Sequence, residues 1–283
     1  MHNQIPESLA CCVSTTAGGV GAAAREEWTL RENIVKRRLL AGESLMGVLL
    51  GFSSPAFVEL TALAGFDFVL IDCEHGPMDL ESVEAMVRAA EAAGLTPLAR
   101  VPHNEPSIIL RFLDVGVMGL LVPHIETADD ARGAVAAMKY PPDGERGLAT
   151  VRANDYGARE ALVDYVRRAN EETLFMALVE SRKGVENAAE IAAVPGVDVV
   201  QIGPNDLSMS MGHFGRSDHP EVQAAIDQVI AAARAAGKVP GSGAIRGPAA
   251  IRRALDRGIR VITYGAKDVV LDAGRGLMAE FRK

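Results

Sequence analysis

The chain has 283 residues, 48% of them hydrophobic, and a formal net charge of −8. That length holds one large core or two modest ones, the interspersed charges leave no basic footprint for general nucleic-acid binding, and no apolar run reaches membrane-spanning length. Three cysteines, Cys11, Cys12 and Cys73, form neither a disulfide framework nor a zinc site, and point to a reducing cytoplasm.

Residues 1–28 are rich in Gly, Ala and other small residues and read as a mobile or loosely docked tail. They lack the basic start and continuous apolar block of a signal peptide. From residue 29 to 283 the chain reads as a single domain in which two textures alternate. Short apolar runs read as buried parallel strands: "LMGVLLGF" (45–52), "FDFVLIDC" (66–73), "TPLARV" (96–101), "GLLVPHI" (119–125), "LFMALVE" (174–180), "VDVVQIG" (197–203), "KVPGSGA" (238–244) and "IRVITYG" (259–265). Helical segments separate them. Ser54 followed by Pro55 starts one. Asp79 caps another, whose Leu80, Val83, Val87 and Ala90 share a face before Gly94 ends it. Thr127 and Asp130 have the spacing of a capping box.

Eight strand–helix units predict an α/β fold, a closed (β/α)8 TIM barrel. The alternative, an open doubly wound sheet, usually carries a Gly-rich dinucleotide turn after its first strand, and "GFSSPAF" at 51–57 is not one. The stretch from 140 to 173 is a long connection between strands four and five, of the kind that serves as an active-site lid or an oligomer contact.

In a parallel barrel, chemistry gathers where the strands end. Strand two ends in Asp72, Glu74 and His75, strand three in Arg100, strand four at His124, strand five at Glu180, and strand six runs into "GPND" with Asp206. Glu180 and Asp206 lie one β/α unit apart, on strands whose spacing is about 4.8 Å. Carboxylates that close need a proton or a cation between them, and hard oxygen donors suit Mg²⁺ or Mn²⁺. Each of them also fits a plain helix cap. His75 reads as a general base oriented by Asp72 three residues earlier, or as a packed strand-end histidine. Arg100 suits an oxyanion, or a salt bridge to Asp72 or Glu74. The loop "GSGAIRG" at 241–247 is a weaker phosphate-binding candidate.

Several stretches carry a resemblance: "GFDFVLIDCEHGP", "PLARVP", "LDVGVMGLLVPHIET", "YPPDGERG" and "VESRKGVENAAEIAAVPGVDVVQIGPNDLSMSMG". They look like the class II pyruvate aldolases of the HpcH/HpaI family, which includes 4-hydroxy-2-oxoheptanedioate and 2-dehydro-3-deoxyglucarate aldolases. The resemblance spans residues 45 to about 275. It implies a barrel whose C-terminal helix is exchanged between subunits, and a hexamer built as a trimer of dimers. It implies a divalent ion (Mg²⁺ or Mn²⁺, with Co²⁺ a further candidate) held by Glu180 and Asp206. The partners it implies are a small 2-oxo acid and an aldehyde, the acid chelating the ion and meeting backbone amides at Gly203 and Asn205. Arg100 would steady an enolate, the His75–Asp72 dyad would move the proton, and Asp114 would lie near a neighbouring subunit's site.

Two departures stand out. A Gln is common two residues before the metal-binding Glu; here that residue is Leu178. The "RGLATVRANDYG" stretch lacks the small-residue pattern usual after "ERG". A Schiff-base route has no good lysine: Lys238 begins a strand, and Lys183 and Lys267 lie beyond strand ends. The competing readings are another enolate-forming lyase, synthase or decarboxylase, including one acting on a thioester, and a non-catalytic ligand-binding barrel.

Overall fold

The computed structural model describes residues 32–283. The tail expected over residues 1–28 lies outside them. The eight strands are β1 (Leu45–Leu50), β2 (Phe68–Asp72), β3 (Thr96–Arg100), β4 (Gly119–Val122), β5 (Leu174–Val179), β6 (Val199–Ile202), β7 (Val239–Ser242) and β8 (Val261–Gly265). Each pairs in parallel with the next, and β1 pairs with β8, so the barrel is closed. Before β1 runs α1 (Ile34–Leu40); α2 (Pro55–Leu63), α3 (Leu80–Ala92), α4 (Pro106–Asp114) and α5 (Ala128–Met138) follow β1 to β4. Then come α6 (Leu162–Glu172), α7 (Arg182–Glu186), α8 (Ala188–Ala193), α9 (Pro204–Ser210), α10 (Pro220–Ala235), α11 (Pro248–Asp256) and α12 (Ala266–Phe281).

The strands are apolar on both faces because they serve two cores. Leu45, Phe68, Leu70, Leu98, Leu121, Met176 and Val199 fill the barrel interior, while Val48, Val69, Ala99, Leu120, Phe175 and Val200 face the helices. The packing between the first two strands requires glycine at one position: a Cβ on Gly47 would lie 2.2 Å from the Phe68 ring. The helix starts are chemical. The side chains of Ser54, Asp79 and Thr127 accept the backbone amides of Phe57, Ser82 and Asp130, and Thr127 with Asp130 forms the expected capping box.

The N-terminal end of the barrel is sealed. Val35 and Leu39 of α1 join the interior cluster. Asn33, fully buried, caps α1 through Lys36 and donates from Nδ2 to the carbonyls of Met118 and Glu172, each at 2.9 Å. The long connection of residues 140–173 runs along this end. Tyr140 stacks edge-on against Tyr165, Arg146 lies over Tyr140 and pairs with Asp114 at 2.7 Å, and Arg152 pairs with Glu91 and donates to the Val115 carbonyl. It therefore does not cover this barrel's own mouth: a segment between a helix and the next strand emerges opposite the strand C-termini.

Lys139 is buried here and donates to the carbonyls of Asn170 and Thr173. Burial, with a smaller contribution from the charge of Lys36, lowers its pKa to about 8.

Replacing Asn33 with Ala removes the cap and strands two buried carbonyls. It should lower the unfolding free energy by about 2–4 kcal/mol in urea titrations, with turnover unchanged where the protein is folded. Above about pH 8 the folded state binds fewer protons at Lys139 than the unfolded chain does. Its contribution to stability therefore grows as pH rises towards the ordinary lysine value. Unfolding titrations from pH 7 to 10 should show a shallower rise, or a steeper fall, for Lys139→Met than for the parent.

Candidate active site

At the other end, five strands deliver polar groups to one mouth. Asp72 and Arg100 end β2 and β3 and are register partners. They meet in a buried two-pronged pair, Nε to Oδ1 at 2.9 Å and Nη2 to Oδ2 at 2.7 Å. The third nitrogen of Arg100, Nη1, lies 3.0 Å from Glu74 Oε2. Burial alone would lower the Arg100 pKa; the hydrogen bonds and charge of Asp72, then of Glu74 and Glu180, outweigh it and hold the group above its ordinary value.

Asp72 does not hold the His75 imidazole. Its Oδ1 accepts the backbone amides of Glu74 and His75, each at 3.3 Å, and so fixes the turn that carries both. The His75 ring stands at the rim, 62% exposed, with Nε2 3.9 Å from Glu74 Oε2. The expected dyad is thus an arrangement of backbone and turn rather than a carboxylate–imidazole hydrogen bond.

Glu180 follows β5 and is buried. Its Oε1 accepts the backbone amide of His124 at 3.0 Å and lies 3.3 Å from His124 Nδ1. His124 adopts φ 56°, a left-handed conformation that is uncommon for a side-chain-bearing residue, and its Nε2 reaches to 3.6 Å from Glu74 Oε1. Glu74, His124 and Glu180 therefore form a three-sided group whose ligand-type atoms all lie within 4.8 Å of one another. Burial first, and then the charges of Glu74 and Asp206, raise the Glu180 carboxyl above its usual range against the pull of the His124 amide and ring.

Asp206 lies in the first turn of α9, exposed, near enough for its charge to act on Glu180 but outside that three-sided group. Asn205 precedes it, also exposed. The Gly203 amide is already used, donating to the Val179 carbonyl at 3.1 Å. What Gly203 contributes is room: a Cβ there would lie 2.9 Å from both Cβ and Oε2 of Glu180. Asp114 is at the far end of the barrel with Arg146, away from its own mouth. Cys73, beside Asp72, is a buried thiol pushed up to about 12 by burial and then by the Asp72 charge, which makes it unreactive.

The sequence pointed to Glu180 with Asp206 and passed over Glu74 and His124 as ligand candidates. Their convergence depends on the His124 backbone turning back, which no spacing shows. The strands of the opposite half of the rim bring no inward side chain there: Gly203, Gly243, Gly265 and Gly51 occupy the inward positions at the ends of β6, β7, β8 and β1, and the Asp268 carboxylate, paired with Arg246, stands beside Gly265.

The donor set fits a divalent cation. Glu74 Oε2 is buried without a hydrogen-bond partner among the described residues, although Arg100 Nη1 lies 3.0 Å from it. Glu180 is a carboxylate out of water, and the imidazole of His124 bridges the two.

Residues 45–274 match the profile of the HpcH/HpaI aldolase/citrate lyase family. The hydroxypyruvate/pyruvate aldolase of Cupriavidus necator is 41% identical over 89% of this chain and 93% of its own length. A 4-hydroxy-2-oxo-heptane-1,7-dioate aldolase of Escherichia coli is 40% identical over 88% of this chain and 95% of its own. The crystal structure of an HpcH/HpaI aldolase/citrate lyase family protein from Burkholderia cenocepacia superposes with a TM-score of 0.84, at 41% identity, over 89% of this chain and all of that one. The chain belongs to the HpcH/HpaI aldolase/citrate lyase family and is an aldolase, a carbon–carbon lyase.

Proposed function

We propose that the enzyme cleaves, or in reverse forms, the C3–C4 bond of a 4-hydroxy-2-oxo acid, giving a pyruvate-type 2-oxo acid and an aldehyde, with the help of a divalent cation. The observation that carries this reading is the convergence of Glu74, His124 and Glu180 beside the fixed guanidinium of Arg100. Glu180 and Glu74, with His124 and the nearby Asp206, would hold the ion. Oxygen donors favour Mg²⁺ or Mn²⁺, and the imidazole admits Co²⁺. When bound, the ion supplies Lewis-acid polarisation of the keto oxygen.

The chain's own groups do the rest. Cleavage moves the C3–C4 bonding pair onto the 2-oxo fragment as an enolate, while the C4 hydroxyl loses its proton and becomes the aldehyde carbonyl. Arg100 cannot lose its proton and cannot swing away from Asp72, so it presents fixed positive charge where the enolate oxygen develops. His75, at the open rim, takes the hydroxyl proton through water and returns one to C3. The glycine half of the rim leaves room for the aldehyde fragment.

Deuterium exchange into the methyl group of pyruvate, followed by NMR, tests the reading without a choice of aldehyde. We expect exchange that depends on added Mg²⁺ or Mn²⁺ and falls at least about a hundredfold in Glu180→Ala, in the range expected when a buried charged ligand is removed. A folded, cation-loaded enzyme that exchanges nothing would overturn it.

Assembly is part of the proposal. Along α12 only Ala266 is buried, and Val270, Leu271, Leu277, Met278 and Phe281 fall on one exposed apolar face. We assign that face to a second copy of the chain, as helix exchange within a hexamer built of dimers would require. Light scattering on the eluting protein should give a multiple of the chain mass, reduced in Leu277→Asp combined with Phe281→Asp; a monomeric parent protein would refute the assignment. The buried free thiol of Cys73 fits the proposed cytoplasmic setting.

A further inference from the structure

One buried polar side chain in the barrel is not used by the mechanism above. Gln201 is 2% exposed and sits on β6 between Val199, which belongs to the interior cluster, and outward-facing Val200 and Ile202. Strand alternation therefore turns it into the lumen. Its register partner on β5 is Leu178 and on β7 is Gly241. The carboxamide lies across β7, where a Cβ on Gly241 would come within 1.9 Å of Oε1. It reaches Thr263 on β8 with a long contact, Nε2 to Oγ1 at 3.4 Å, and Oε1 has no hydrogen-bond partner among the described residues.

The next inward positions towards the mouth on these strands are Gly203, Gly243 and Gly265. No side chain from β6, β7 or β8 stands between the carboxamide and the opening. Leu178 flanks it on the other side, with Cδ1 3.5 Å from where a Gly203 Cβ would be, at the level of Glu180. The pocket floor is therefore apolar along β5 and amide along β6.

A buried amide with an idle end is unfavourable unless a polar group meets it. An alkyl substituent on the 2-oxo acid would leave it idle. A hydroxyl, which both donates and accepts, satisfies it whichever way round the amide lies. We propose that Gln201 is a specificity-determining residue: it binds the hydroxyl on C3 of a hydroxylated 2-oxo acid, so that the enzyme discriminates in favour of that donor over the unsubstituted one. This rests on the aldolase reading and names its donor class.

The test uses the cation-loaded full chain and two probes, hydroxypyruvate and pyruvate, following solvent deuterium entering C3 of each above the uncatalysed rate. The parent should show the higher kcat/KM with hydroxypyruvate. Gln201→Leu should lower the hydroxypyruvate-to-pyruvate ratio about tenfold, the effect of one hydrogen bond, without lowering the melting temperature. Gly241→Ala displaces the carboxamide without removing it and should move the ratio the same way, and it carries the test if the leucine variant does not fold. A ratio unmoved in both variants, or a melting temperature that falls while the ratio holds, assigns Gln201 to packing and overturns this inference alone. A parent enzyme that exchanges neither donor overturns the aldolase reading as well.

Discussion

The mouth of this barrel depends on the pairing of Asp72 with Arg100. Both end their strands, both point inward, and the β2–β3 register places them side by side. A buried guanidinium is tolerable only when paired, and removing one partner of such a pair typically costs about 3–5 kcal/mol. The pair fixes more than itself. Its geometry leaves Arg100 Nη1 facing Glu74, and the remaining capacity of Asp72 Oδ1 holds the amides of Glu74 and His75. Glu74, held in this way, meets His124, which in turn holds Glu180. The proposed cation-binding group and the charge proposed to steady the enolate thus share one support, the β2–β3 register.

The two ends of the barrel divide the labour. The N-terminal end is closed by α1, by Asn33 reaching two carbonyls, and by the long connection with its Tyr140, Tyr165 and Arg146 packing. This base lets the other end carry a left-handed His124, a buried Glu74 oxygen that lacks a hydrogen bond among the described residues and a half-rim of glycines, all of which would be unfavourable in isolation.

Much of this was legible in the sequence because its causes are local. Strands buried on both faces must be uniformly apolar, so the eight runs stood out. Ser54, Asp79 and Thr127 announce helices through hydrogen bonds to residues three positions on. The ionisable groups at strand ends were also in view, and Glu180, Arg100 and Asp72 do meet at the mouth. What sequence spacing does not show is register and backbone direction. Asp72 is three residues from His75 but twenty-eight from Arg100, and the parallel register makes the distant residue the partner. His124 reaches Glu180 only because its backbone turns into the left-handed region. The long connection illustrates a different failure. Its length suggested a lid or an oligomer contact; its place between a helix and the next strand puts it at the closed end, which rules out a lid over its own mouth and leaves the second role open to it. Gln201 stood in plain view in "VVQIG", a polar residue at a lumen-facing position, and became informative once Gly241 was seen to leave it space.

Charge balance at the mouth connects binding to chemistry. Asp72, Glu74, Glu180 and Asp206 gather around one guanidinium, and Arg100 is largely committed to Asp72. The surplus is negative, and it adds to burial, the larger cause, in raising the Glu180 carboxyl above its ordinary range. An anionic 2-oxo acid approaching that surplus alone is repelled. In the proposed reaction a divalent cation would reverse the local field, and Arg100 would add its fixed charge at the developing enolate. In that reaction the same arrangement would therefore also set the order, with the cation before the acid, and tie turnover to cation occupancy rather than to the shape of the pocket alone.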